Sequence, residues 1–133
     1  MLGFPQRNCT DAPTGQVLLA VRQFNQREWY ECHETLEALW MHATGEARYL
    51  YQGIIQIAVA LHHWRNGNFQ GAVLLLEGGV AYLRRLPACC MWLDVTGLIG
   101  VSEKMREAVL EKGEAEMHLL PDDLIPIITT VSA

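Results

Sequence analysis

A histidine and two carboxylates, His33, Glu34 and Glu37, fall within the stretch YECHETLEALW that runs from Tyr30 to Trp40. Helix residues four apart lie one above the other, so His33 and Glu37 could share a proton or offer two ligands to a metal ion. The run HETLE departs from the zinc-protease pattern HExxH, in which two histidines bind the ion and the glutamate activates water, because position 37 is a glutamate. A third ligand would have to come from Glu34 or from His63 further along the chain. The repeated Glu-x-x-His pairs of a di-iron bundle do not occur. Cys32 adjoins His33, but consecutive helix residues point about 100° apart, so the two do not make a nucleophile and base; Cys32 reads as packing.

Measured round the helix from His33, Glu37 lies at about +40°, Trp40 at −20°, Trp29 at −40°, Leu36 at −60° and Tyr30 at +60°. The histidine and one carboxylate therefore share the aromatic face, with Glu34 on the flank at about +100°. In the next helical stretch Tyr49, Gln52, Gln56 and His63 fall within about 40° of one line. A short loop at Thr44-Gly45 makes the two helices antiparallel neighbours, and the expectation is that His33 and Glu37 meet Gln52 and Gln56 across their interface.

Such a cluster has three readings. It is a buried hydrogen-bond network that fixes helix register, where losing one partner typically costs ~3–5 kcal/mol. It is a small pocket floored by His33, Glu37, Gln56 and His63, walled by tryptophans and suited to a metal or a small polar ligand. Or the glutamine stripe simply faces water. No cofactor is assigned by the residues themselves.

The elements that must position these side chains are helices. Helical periodicity dominates, and no segment alternates with a period of two around an Asn-Gly type of turn. The expected architecture is all-α: a compact bundle of about five helices with an extended C-terminal strap. The first helix runs from about Pro13 to Asn25, capped by Asp11 or Thr14, and the second from about Glu28 to Ala43. The third spans about Glu46 to Arg65, the fourth about Asn68 to Arg85, and the fifth follows Asp94 to about Lys112. Pro121 and Pro126, set among apolar residues, make the tail a strap packed on the bundle. The organisation expected is an extension over 1–12, a bundle domain over 13–112 and a tail over 113–133.

With 50% hydrophobic and 19% charged residues, 133 residues make one domain with a real core and not a disordered chain. Net charge is −5 and Arg84-Arg85 is the sole adjacent basic pair, which argues against a nucleic-acid partner. Gln52, Gln56, His62 and His63 interrupt the apolar run of the third helix short of the roughly 20 residues a bilayer needs, so no membrane partner is expected. The opening residues MLGFPQRNC resemble neither a secretory signal nor a transit peptide, and a cytoplasmic location is the expectation. Cys9, Cys32, Cys89 and Cys90 show no CxxC spacing and read as reduced, partly buried thiols.

Four motifs recur together: FN at Phe24-Asn25, HExxExxW from His33 to Trp40, QGxIQxAxA from Gln52 to Ala60 and GNxxGAxxLL from Gly67 to Leu76. In combination they resemble the bacterial, archaeal and plastid family called domain of unknown function 309, over about residues 17 to 100. The resemblance implies a compact helical bundle and no established activity. Gln26-Arg27, where the family commonly has glycine, and Cys89-Cys90 depart from its pattern. The functional expectation is a non-enzymatic structural, interaction or small-ligand-binding protein, with a homo-oligomer and a protein or small-molecule partner left open. The alternative is a metal-binding protein or metal-dependent hydrolase using His33, Glu37 and neighbouring His and Gln residues.

Overall fold

Thr14 starts the first helix: its backbone is extended and its hydroxyl accepts from the Val17 amide, satisfying one of the donors a helix start leaves free. The structure, a computed structural model, describes residues 6–131. Five α-helices follow one another, α1 (Gly15–Asn25), α2 (Trp29–Trp40), α3 (Gly45–Arg65), α4 (Phe69–Leu83) and α5 (Val95–Lys112). Asn68 and Asp94 cap α4 and α5 by accepting from the Gly71 and Gly97 amides. Asp11, the other candidate cap for α1, instead accepts from the Asn8 amide in the preceding arm.

Each helix packs on the next in the chain, with α3 between α2 and α4. On the α2 side, Arg48 lies 4.0 Å over the Trp40 ring and donates to the Trp40 and Ala43 carbonyls at 3.2 Å, covering the free end of α2. On the α4 side, Gly53 and Gly79 let the backbones approach so closely that a Cβ on Gly79 would lie 2.8 Å from the Gly53 carbonyl oxygen. Phe24, Trp29, Leu36, Leu50, Ile57, Leu61, Leu76, Leu83 and Met105 fill the core.

The tail is a strap, as its prolines imply, with two 3₁₀ turns at Met117–Leu119 and Asp122–Leu124. Met117, Leu120, Ile125 and Ile128 point into the core. Asn25 clamps the strap by accepting from the Ile128 amide at 2.7 Å and donating to its carbonyl at 2.9 Å. The Trp64 indole donates to the Met117 carbonyl at 2.9 Å. Residues 1–5 of the expected extension and 132–133 of the expected tail lie outside the described residues.

The expected all-α bundle is observed, with one small addition and one correction. Cys89–Cys90 and Leu93–Asp94 form a two-stranded antiparallel hairpin, β1 and β2, in an otherwise helical fold. Its turn residues, Met91 and Trp92, both hold positive φ, a conformation that Met-Trp does not advertise in sequence and that surrounding bonds enforce. The Met91 amide donates to the Cys9 carbonyl, and the Val131 amide to that of Trp92. The correction concerns the cysteines, expected to be reduced thiols: Cys9 and Cys90 are joined in a disulfide across 81 positions of sequence, while Cys32 and Cys89 stay thiols. The arm is also held at Cys9 by its backbone, the Cys9 amide donating to Glu46 Oε1 at 3.0 Å.

Candidate functional site

The stripe of α2 that faces the core is Trp29, Cys32 and Leu36. It is centred about 70° round the helix from His33, so the expected inward face is corrected. Cys32 is fully buried and draws the face to its own side, which leaves the His33 side chain 25% exposed and that of Glu37 53% exposed. The pair itself forms, with His33 Nε2 2.9 Å from Glu37 Oε2, but on a half-open flank. Tyr30 stands between two histidines there, its ring centroid 5.6 Å from that of His33 and 5.8 Å from that of His62. Burial, and secondarily the nearby Arg65 and His63, hold the His62 pKa below its ordinary value.

The glutamine stripe of α3 turns to α4 instead of α2. Gln56 Oε1 lies against Gly78, the Tyr49 and Tyr82 rings sit 6.3 Å apart, and Gly53 meets Gly79 along the same line. Gln52 is half-buried on this side of the helix. His63 packs beside Gly71, with its Nδ1 3.3 Å from Asn68 Nδ2 at the start of α4. Glu34 is exposed. Of the six residues singled out by sequence, His33 and Glu37 are thus together, Gln52, Gln56 and His63 are spread along the α3–α4 seam, and Glu34 stands apart. The expected contact of His33 and Glu37 with the glutamines is replaced by this seam, because the glycines interleaved with the glutamines admit α4.

Among the described residues no group of three or more His, Cys, Asp or Glu side chains could hold a metal ion. Cys32 is equally unsuited to attack: burial pushes its thiol up to about 12, far from the thiolate a nucleophile needs.

A cavity of about 340 Å³ opens elsewhere, at the end of the bundle where the arm, the start of α1, the end of α2 and the start of α3 converge. Leu39, Ala43 and Ala47 form its apolar wall, and Arg7, Thr14, Gln16 and Tyr51 bring polar atoms to it. The arm is held over it by Gln6, whose side-chain oxygen accepts from the Thr44 amide and whose nitrogen donates to the His42 carbonyl. Tyr51 is only 3% exposed. Burial raises its pKa, and the Arg7 guanidinium acts more weakly in the opposite direction, so the hydroxyl keeps its proton at neutral pH. Sequence reading passed over this cavity because Arg7 sits outside any periodic element; Tyr51, a polar tip within an apolar stretch, was the available signal. A smaller hollow of about 240 Å³ between α4 and α5 is occupied electrostatically by its own walls, where Arg84 pairs with Glu103 and Arg106 with Glu77.

The segment that contains the His33–Glu37 pair, the clamp residue Asn25 and the α3 side of the α3–α4 seam also carries the likeness to known proteins. Residues 17–75 match the model of the family described as a domain of unknown function (DUF309). The likeness expected to reach about residue 100 is found over this shorter span. The chain is similar to the uncharacterized protein YpuF of Bacillus subtilis (strain 168), 41% identical over 44% of this chain and 34% of that protein. It is also similar to an uncharacterized protein of Aquifex aeolicus (strain VF5), 29% identical over 48% of this chain and 20% of that one. The match thus spans about a third of the one relative and a fifth of the other. Within the DUF309 segment the motif residues have structural work: Asn25 fastens the strap, Trp40 carries Arg48, and Asn68 caps α4. Ala38, Leu39, His42, Ala43, Ala47 and Tyr51 line the cavity from inside the DUF309 segment, and Arg7 and Thr14 from outside it.

Proposed function

We propose that this chain is a non-enzymatic helical domain that binds a small molecule in the cavity between its arm and α1, α2 and α3. The observation that carries the reading is the cavity: at about 340 Å³ it falls within the roughly 300–1,000 Å³ typical of small-molecule sites, with an apolar wall and a few polar tips. The His33–Glu37 pair belongs to the scaffold in this reading, since both side chains keep contact with solvent and neither lines the cavity. A metal-dependent hydrolase is not favoured, because His33 and Glu37 find no third ligand among the described residues. The exposed apolar side chains, among them Leu18 on α1, Leu74 on α4 and Leu110 on α5, are spread over different elements, which gives self-association weaker support than ligand binding. Among the described residues no helix is long and apolar enough to cross a membrane, and in a cytoplasmic setting the Cys9–Cys90 bond would be exposed to cellular reductants, which favours an oxidising setting.

A melting screen against a metabolite library tests this. Compounds that bind are expected to raise the midpoint by several degrees, and to lose that effect in Ala38→Trp, which fills the mouth of the cavity from a partly solvent-facing position. Hits that act equally on the plugged variant would place the binding site elsewhere and remove the reading.

A further inference from the structure

The geometry points to a carboxylate as the headgroup of the ligand this cavity takes, with Arg7 as the residue that binds it and an apolar body lying along Leu39, Ala43 and Ala47. This rests on the cavity being a ligand site and adds its chemistry.

Three features of the lining converge on an anion. Arg7 brings a guanidinium to the cavity and forms no ion pair with a carboxylate among the described residues, whereas Arg27, Arg84 and Arg106 each do. Tyr51, only 3% exposed, lines the cavity, and its hydroxyl is a donor available to an acceptor on the ligand. The third feature is the start of α1, which meets the cavity at Thr14 and Gln16 and has no acidic residue in its first turn to offset the helix dipole. Thr14 accepts from the Val17 amide and so retains its own O–H to donate.

The same features select a single negative charge over a multiply charged one. One guanidinium and two hydroxyls match the two oxygens of a carboxylate, and its fork can engage both at once. A phosphate dianion would bring more charge than one arginine offsets into a protein whose net charge is already −5. The apolar wall in turn has no use for a ligand that is all headgroup.

The experiment uses the oxidised full chain and isothermal titration with two matched pairs of probes, hexanoate against hexanamide and benzoate against benzamide, with inorganic phosphate alone as a third arm. Each acid is expected to bind at least tenfold more tightly than its amide. Arg7→Gln should erase that ratio while leaving amide binding as it was, Arg7→Lys should keep part of it, and Tyr51→Phe should reduce it without unfolding the chain. An acid-to-amide ratio near one, or a ratio that survives Arg7→Gln, overturns the carboxylate assignment and leaves the cavity standing as a neutral-ligand site. Phosphate binding more tightly than either acid overturns it in favour of a phosphoryl headgroup. Failure of all five probes to bind overturns the carboxylate assignment, while the cavity reading stands or falls on the metabolite screen against Ala38→Trp.

Discussion

His33 and Glu37 show how little a well-formed contact says about energy until its surroundings are known. Their 2.9 Å approach is as short as that of a buried pair, yet the side chains keep 25% and 53% of their exposure. Water screens such a pair and side-chain entropy opposes it, so His33→Ala and Glu37→Ala are expected to lower stability by only about 0–1 kcal/mol each. Urea denaturation of the two variants checks this; a loss of several kcal/mol would mean that the pair is enclosed after all. The i, i+4 spacing was readable from the sequence, but the rotation of α2 was not. Two tryptophans and a tyrosine draw the expected face toward His33, and Cys32, whose complete burial sets the true face, reads as packing but is not counted in that face. A free cysteine packs as a small hydrophobe, and counting it with Trp29 and Leu36 gives the stripe that is seen.

Helix termini were legible where a capping side chain announced them, and helix faces were not where glycine decided the partner. Asp94 and Asn68 mark the starts of α5 and α4 to the residue, and Gly113, at φ 80°, follows the end of α5. The side of α3 that meets α4 depends instead on the fit between two backbones, which no apolar periodicity reports. Gly78 and Gly79 separate the two kinds of constraint. A methyl group on Gly79 would meet Ile57 Cγ1 at 2.6 Å and the Gly53 carbonyl at 2.8 Å, so α3 and α4 would have to move apart. A methyl on Gly78 would meet the end of the Gln56 side chain, which can swing away. Gly79→Ala is therefore expected to destabilise by about 1–3 kcal/mol. Gly78→Ala should be near neutral or slightly stabilising, since alanine is the better helix former by up to ~1 kcal/mol. Denaturation midpoints decide it; equal losses at both positions would show that the helices are not in backbone contact at Gly79.

At the scale of the whole molecule, the Cys9–Cys90 bond ties the arm to the hairpin that precedes α5, closing a loop of 81 positions that contains four of the five helices. The pairing was not legible, because spacing arguments concern cysteines that are close in sequence, whereas this contact exists only once the bundle has brought the hairpin to the arm. Two consequences follow from the loop it closes. Cross-linking so long a loop restricts the unfolded chain, and its removal typically costs about 2–4 kcal/mol. The second is local: Arg7 lies on the arm close to Cys9, and without the bond the arm is held by the Cys9 amide on Glu46, the Met91 amide on the Cys9 carbonyl and the Gln6 side chain. Opening the disulfide with a dithiol reductant, which is itself oxidised to a cyclic disulfide while Cys9 and Cys90 take up two electrons and two protons to become thiols, should lower the melting midpoint and loosen the arm, and hexanoate should bind more weakly while hexanamide changes less. Trypsin reports the arm directly, since cleavage after Arg7 should accelerate on reduction and in Cys9→Ser. Alkylation of the native oxidised chain supplies the control, with Cys89, exposed, modified and Cys32, buried, spared. A midpoint and a cleavage rate that are the same with and without reductant would show that the arm is fastened by its hydrogen bonds alone, and that the covalent tie adds nothing to the site it borders.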